Sequence, residues 1–541
     1  MHLLSAKAGG YTDATVTVRI EQAPADIVIL SAADTTLSLL AAAARRLPSN
    51  FPSIRICSLM HLRNPASIDL YVDEVLQHAK VIVVDHVGGE SYWSYGLERL
   101  VTLSKQHQQT LLLFSGDRTE DPNLTSKSTV PWQRCEQLLR YLRENGPDNA
   151  VEFLISLGHD FLQWPQEPRP PRPFPEALVY YPGRTATGID AWRAQWVANA
   201  PVVAVVFYRS HLSAGNTDAF DALLEGLQRA GMNPLPLALN SLKDPLCLQV
   251  LRTLCSEHDV ALILNTTAFA TAALDDPEPA PLAGDIPVLQ IMLSGGNRDD
   301  WQANDHGLSP RDIAMQVALP EVDGRIVTRA ISFKGAAYRC ERTQYELSKY
   351  QPDAERIEFV VELSRRWCRL RQLAHADKRV ALIMANYPSR EGRIGNGVGL
   401  DTPASVITIL DDLRSQGYDL TDIPENGDQL LAQLREGVTN DPASWAARWA
   451  FQSVSVDDYS SWFAQLPADN RRAVIERWGD ASSDPMLREQ RFMISGLRLG
   501  KVFVGLQPAR GYEIDPYSTY HSPDLVPPHH YLAFYFWLRE C

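Results

Sequence analysis

Short apolar, β-branched runs alternate along the chain with longer stretches in which apolar residues recur every three or four positions. The first part reads as strands at 26–30, 54–58, 80–84 and 110–114. Helices fall between them, near 35–46, 68–79 and 97–106. Such alternation predicts parallel βαβ units with right-handed crossovers, and hence a doubly wound sheet. A Pro-rich stretch, WPQEPRPPRPFP at 164–175, interrupts the pattern. Prolines at this density cannot continue a helix or a central strand, so the stretch reads as a stiff linker, with a surface arm as the alternative.

The alternation then restarts. The run 202–208 is apolar without a break, as expected of a strand covered on both faces. The helix after it, capped by Asn216 or Thr217, carries Phe220, Leu223, Leu224 and Leu227 on one face and stops at Gly231. Further strands read at 259–264 and 287–293. A third unit opens with a strand at 379–384, followed by a helix that Thr402 caps with Pro403 in its first turn. The expected fold is therefore α/β, with several Rossmann- or flavodoxin-like parallel-sheet units and the last incomplete. The expected divisions are an N-terminal domain at 1–164, a linker at 165–175, a second domain at 176–375 and the start of a third at 376–541.

Composition narrows the function classes. A chain of 541 residues exceeds one hydrophobic core. A net charge of -14 argues against nucleic acid, whose phosphates need a basic surface. Seven cysteines, with no C-x-x-C pair among them, suit reduced thiols rather than a disulfide framework or a structural zinc site. The most apolar run, 27–44, is interrupted by Asp34, Thr35 and Thr36, and no membrane insertion is expected from it. With no basic-then-apolar leader pattern at the start, the expected location is cytoplasmic.

Candidate chemistry gathers in the loops after strands, where open α/β sheets bind ligands. In HVGGESYWSYGLERL (86–100), Gly88 and Gly89 would let a flat ligand approach, and Tyr92 and Trp93 could stack on it. A glycine turn with its aromatics in the core explains the same residues. In VVAVVFYRSHLSAGNT (202–217), the strand delivers Arg209, Ser210 and His211 to its end, and Asn216 leads into a helix N-terminus that favours anions. Such residues are also common on plain surface loops. The glycine-rich loop ANYPSREGRIGNGVGL (385–400) is not a phosphate-binding P-loop, because no Gly-Lys-Ser/Thr follows at the required spacing. In the final segment, 505–540, Arg510 accompanies His521, His529 and His530; imidazoles suit a divalent metal or proton transfer, while helix capping and surface-loop roles are the more common explanation of such histidines.

Taken in order, the GG-x-x-YW-x-YG loop, FYRSHLSAGNT, ALPEVDGRI, the NYP loop and QPARGY through PPHHYLAFY resemble the large-subunit family of aerobic cobaltochelatase. The magnesium chelatase large subunits resemble it more distantly. The resemblance implies binding of a corrin, hydrogenobyrinic acid a,c-diamide, and ATP-dependent insertion of Co²⁺, which is a substrate. It implies two further subunits as partners, one an AAA+ ATPase that uses the ATP, and no bound organic cofactor. The expected substrate-binding set is Gly88, Gly89, Tyr92, Trp93, Arg209, Ser210, His211, Asn216, Asn386, Tyr387, Gln507 and Arg510. His521, His529 and His530 are the metal candidates. Family members are more than twice this length and carry their active-site motif beyond the position of Cys541, so the chain alone is expected to be inactive. Alternatives are a non-catalytic tetrapyrrole-binding module, a magnesium chelatase-like large subunit and a two-lobed sugar-binding protein.

Overall fold

The structure is a computed structural model that describes residues 17–86, 89–116, 121–183, 188–272, 282–386, 391–397, 399–441, 447–511, 522 and 524–540, with the backbone of 4–5. The chain forms two compact units, Met1–Arg371 and Gln372–Cys541.

The first unit holds two large sheets, besides a two-residue parallel pairing of Leu4–Ser5 with Val18–Arg19. One is four-stranded and wholly parallel, in the order Ile54–Ser58, Ile27–Ser31, Val81–His86, Thr110–Ser115. This is the flavodoxin-like beginning of a doubly wound sheet, and its order reverses between Ile27–Ser31 and Val81–His86. Both faces are covered, which is why its strands read as continuous apolar runs. Ile27 and Ile29 enter one core with Leu37, Leu40 and Phe153, while Val28 and Leu30 enter another with Tyr71, Leu97 and Leu100.

The second sheet has seven strands, in the order Tyr345–Pro352, Ile326–Cys340, Val288–Ser294, Val260–Asn265, Val202–Tyr208, Asn233–Leu239, Ala177–Val179. The inner five run parallel, and an antiparallel strand closes each edge. Asn233–Leu239 lies wholly buried despite Pro234 and Pro236. Two prolines at alternate positions remove ladder donors and mask a strand in the sequence.

The hairpin formed by Ile326–Cys340 and Tyr345–Pro352 outgrows its own sheet. Its tip puts Cys340, Tyr345 and Leu347 into the core of the first sheet. There the Gln22 side-chain amide donates to the Gln344 carbonyl at 2.9 Å, and the Arg342 guanidinium donates to the Leu47 carbonyl at 2.7 Å. The residues before and after 164 thus pack within one compact unit. The Pro-rich stretch lies along the same unit as a strap. Tyr141 Oη donates to the Arg169 carbonyl at 2.6 Å, and the Asn149 amide bonds both ways with Arg172.

In the second unit, Val380–Met384 pairs in parallel with Val502–Leu506, which Gly496–Leu499 joins as an antiparallel hairpin. A small antiparallel sheet, Gln452–Ser455, Arg491–Ile494 and Leu487–Arg488, accompanies it. Thr402–Ser415 and Gly427–Glu436 pack on the parallel pair through Val406, Leu410, Leu430 and Leu434. Asp401 caps the first of these helices, one residue before the Thr402 expected from the sequence. Among the described residues no helix is long and apolar enough to cross a membrane, and the six described cysteines are free and buried.

Candidate functional site

The loop after Val81–His86 keeps only part of its expected surface. Gly89 stands at φ 72°, in the left-handed region that glycine tolerates, and its carbonyl meets His86 Nε2 at 2.6 Å. Tyr92 is 79% exposed and open to a ligand. Trp93 is not: its indole N–H donates to the Leu62 carbonyl at 2.8 Å inside the core. Gly96 lies against that ring so closely that a Cβ would come within 2.2 Å of it. The glycine here serves packing of the tryptophan, which corrects the assignment of Trp93 as a stacking surface. Gly88 lies outside the described residues.

The loop after Val202–Tyr208 is corrected in the same sense. Arg209 is 2% exposed, and its Nη1 donates to the carbonyls of Phe174 at 2.7 Å and Pro175 at 2.9 Å. Its Nη2 donates to the Arg143 carbonyl and faces the Glu176 carboxylate, each at 3.3 Å. Arg209 therefore clamps the proline strap rather than opening onto an anion. Ser210 accepts from Ser213 Oγ through its carbonyl, and the buried Asn216 accepts from the Tyr350 N–H at 3.0 Å. His211 is buried against the rings of Phe220 and Tyr350. Burial, reinforced by the Lys334 charge, lowers its pKa to about 4, so the ring is neutral.

His211 belongs instead to a charged seam between the two sheets of the first unit. Asp34 begins the helix after Ile27–Ser31, and its carboxylate pairs with the ammonium of Lys334 from the long hairpin. His61, Arg311 and Tyr350 stand around this pair. Burial opposes ionisation of Asp34, yet the Lys334 charge, with His61 and Arg311 beyond it, holds the carboxyl below its usual range. Burial likewise works against the Lys334 ammonium, and Asp34 outweighs it. Burial lowers His61 despite the attraction of Asp34. No sequence signal links Asp34 to Lys334, because the contact joins elements 300 residues apart.

A different grouping lies at the carboxyl ends of the parallel pair in the second unit. The Gln507 N–H donates to the Met384 carbonyl at 2.9 Å, and the Asn440 side chain donates to the Gln507 carbonyl at 2.7 Å. The Gln507 side chain reaches Tyr531 Oη at 3.4 Å. Burial, with Tyr531 beside it, raises the neighbouring Tyr535 phenol to about 12. Glu391 pairs with Arg448 and accepts from the Thr439 hydroxyl. Asn386 stands two residues beyond Met384, 5% exposed, and among the described residues neither its Nδ2 nor its Oδ1 has a partner. An unmet buried polar group costs about 1–3 kcal/mol, so such an arrangement calls for a reason. Arg510 donates to the Leu525 carbonyl at 3.4 Å and is half-buried. Sequence reading thus named Asn386, Gln507 and Arg510 in this region and passed over Glu391, Thr439, Asn440 and Arg448. Tyr387 lies outside the described residues.

His529 and His530 of the last segment are structural. His529 is fully buried; its Nε2 meets the Gly479 carbonyl at 2.9 Å, which fixes the proton there, and its Nδ1 accepts from Tyr459 Oη at 2.7 Å. His530 Nε2 meets the Met493 carbonyl at 3.2 Å, and burial lowers that imidazole. With both nitrogens of His529 engaged and His530 sealed in the core, neither offers a metal a lone pair from an open site, which corrects their assignment. His521 lies outside the described residues. Glu176, Asp244 and Cys247 gather their ligand atoms within 4.8 Å of one another, but Arg209 already neutralises Glu176 and the Cys247 thiol donates to the Glu176 carbonyl.

Comparison with known proteins decides the family. The family model described as CobN/Magnesium Chelatase matches residues 139–541. The chain belongs to the CobN/magnesium chelatase family. It is 48% identical, over its whole length, to the aerobic cobaltochelatase subunit CobN of Pseudomonas aeruginosa, and covers 43% of that protein. It is 26% identical to a magnesium-chelatase subunit of Rhodobacter capsulatus, over 76% of this chain and 35% of that one. The solved catalytic subunit of cobaltochelatase from Mycobacterium tuberculosis superposes with a TM-score of 0.57 at 32% identity, covering 95% of this chain and 41% of that one. The chain thus spans less than half the length of the cobaltochelatase relatives it matches.

Proposed function

We propose that this chain is the N-terminal, corrin-binding part of an aerobic cobaltochelatase large subunit. The observation that carries the reading is the 48% identity, sustained over the whole chain, to a protein named as that subunit. The proposed substrate is hydrogenobyrinic acid a,c-diamide, with Co²⁺ as the second substrate and ATP hydrolysed on an AAA+ partner in the cytoplasm. Within the second unit, Asn386, Gln507 and Arg510 supply the corrin contacts, at the strand ends where open sheets place ligands. In the first unit, Gly89 and the exposed Tyr92 remain as a secondary contact surface. Insertion must distort the ring, take up pyrrolic protons and deliver a partly desolvated cation. Because the relatives are more than twice as long, that chemistry is assigned to the full-length family protein with its partners, and this chain alone binds without inserting.

Titrating the purified chain with the corrin diamide, followed by the visible corrin spectrum, tests the reading. Saturable binding is expected, with no cobalt incorporated when Co²⁺, ATP and the partner subunits are added. Tighter binding of a porphyrin than of the corrin would replace it with a magnesium chelatase-like function.

A further inference from the structure

In the two large sheets of the first unit the parallel edges are closed. On Thr110–Ser115 the Leu111 N–H donates to Thr129 Oγ1 at 2.8 Å and the Leu113 N–H to Ser128 Oγ at 3.0 Å. On Ile54–Ser58 the Gln22 amide donates to the Ile56 carbonyl at 2.9 Å. An antiparallel strand covers each side of the parallel part of the seven-stranded sheet. The second unit differs. Gly496–Leu499 covers one side of Val502–Leu506, and its own Gly496 carbonyl accepts from the Gln452 amide at 2.8 Å. Val380–Met384 covers the other side, and among the described residues no strand pairs with its outer edge.

That edge has none of the usual protection. Natural edge strands carry a charge, a proline or a bulge. Here the residues are Val, Ala, Leu, Ile and Met, paired in unbroken register. The Val380 N–H donates to the Lys501 carbonyl and the Met384 carbonyl accepts from the Gln507 N–H, so the main-chain groups of Val380, Leu382 and Met384 turn inward. Those of Ala381 and Ile383 turn outward. Ala381 is exposed, whereas every residue of Val502–Leu506 is buried. The strand's carboxyl end is firmly held: Asn386 forms a bridge with Ile394, and the Gly395 N–H donates to the Ala385 carbonyl at 2.8 Å. The open edge is therefore fixed in place rather than frayed.

Topology says what fits there. Val380, Leu382 and Met384 face Thr402–Ser415 and Gly427–Glu436, while Ile383 and Phe503 face the helix His529–Glu540 on the opposite side. Crossovers between parallel strands are right-handed. The connection from Val380–Met384 toward Val502–Leu506 leaves through helices on one face. A connection through His529–Glu540, on the other face, must then run back, past the occupied position, to the outer edge of Val380–Met384. The chain covers 43% of its relative from Pseudomonas aeruginosa, so more than half of that protein lies beyond the matched part. We infer that the outer edge of Val380–Met384 is an interaction surface, on which the C-terminal part of a cobaltochelatase large subunit adds a parallel β-strand. Main-chain hydrogen bonds to Ala381 and Ile383 hold it. Being parallel, the added strand ends beside Asn386, and the loop after it completes the polar grouping around Gln507. The inference rests on family membership and is independent of the corrin-binding reading.

Amide hydrogen exchange at Ala381 and Ile383 tests this surface, by comparing the chain with the full-length Pseudomonas aeruginosa subunit at the equivalent positions. Exchange about 100-fold or more slower is expected in the full-length protein, because an N–H open to water becomes one bonded within a sheet. Ala381→Pro removes an N–H that the chain's own pairing does not use, and proline is tolerated on a free edge. The variant chain should therefore keep the circular dichroism spectrum of the wild type. The equivalent proline in the full-length subunit should speed exchange at the Ile383 position by about 10-fold or more. If the variant chain does not fold, the two wild-type proteins decide the matter alone. Equal protection in both wild-type proteins overturns the inference, whether the chain's own residues or a second copy of it covers the edge. So does a proline that leaves exchange in the full-length subunit unchanged.

Discussion

Two polar groupings at the ends of parallel strands are built to opposite rules. In the seam of the first unit the charges are matched or suppressed: Asp34 meets Lys334, burial lowers the His61 imidazole, and His211 is held neutral by burial. At the strand ends of the second unit, Asn386 keeps a donor and an acceptor unmet among the described residues, although almost no water reaches it. A matched ion pair between elements far apart in sequence joins them, and gives nothing to an incoming molecule. An unmatched amide on a held backbone weakens the fold slightly and leaves its hydrogen-bonding groups unused among the described residues. Locally unfavourable polar arrangements of this kind concentrate at binding sites, where stability is given up for function.

The comparison can be broken experimentally. The largest effect is expected from Lys334→Met, which leaves the Asp34 carboxylate without its cation in a half-buried place. Loss of about 2–4 kcal/mol in urea unfolding is expected, and the double variant Lys334→Met with Asp34→Leu should recover most of it. A single variant within about 0.5 kcal/mol of wild type would show that the seam pair does not hold the sheets.

A smaller effect concerns pH. Burial depresses His211 from its ordinary 6.5 to about 4, so on acidification the unfolded chain takes up the proton first. The stability linked to the neutral ring is complete above pH 6.5 and is lost as pH falls toward 4. By pH 5 this amounts to about 2 kcal/mol. His211→Phe should remove that share of the acid sensitivity; a variant whose loss of stability between pH 7 and pH 5 equals that of wild type would contradict it.

The smallest effect carries the opposite sign. Asn386→Leu removes two unmet polar atoms, so stability is expected to stay level or rise by about 1 kcal/mol. A fall of about 2 kcal/mol or more, measured by the same denaturation, would mean that the amide supports the fold and that the contrast with the seam is false.

The secondary structure was largely open to reading. The strands 54–58 and 202–208 end where the sequence places them, and the apolar runs at 259–264 and 287–293 differ from the observed strands by a residue at each end. Local pattern suffices there, because a strand buried on both faces must be apolar throughout. The strand Asn233–Leu239 escaped notice through its two prolines, and the long hairpin because its faces meet two different cores and show no single alternation. At the candidate sites, the sequence pointed to the right loops and misjudged several roles. Arg209, Trp93, His529 and His530 are the residue types that serve ligands, and each is spent on the interior.

Family membership and the alternation of strands and helices were thus determined by the sequence itself, since both depend on local order along the chain. Which polar side chains are used up, and which remain available, was decided only by the tertiary structure. Hydrogen bonding and ion pairing are short-ranged, and the surroundings of Arg209, Lys334 and Asn386 are set by distances in space. An arginine after a strand and an asparagine after another look equally promising in sequence. Folding brings the carbonyls of the strap to the arginine, and among the described residues it brings no partner to the asparagine.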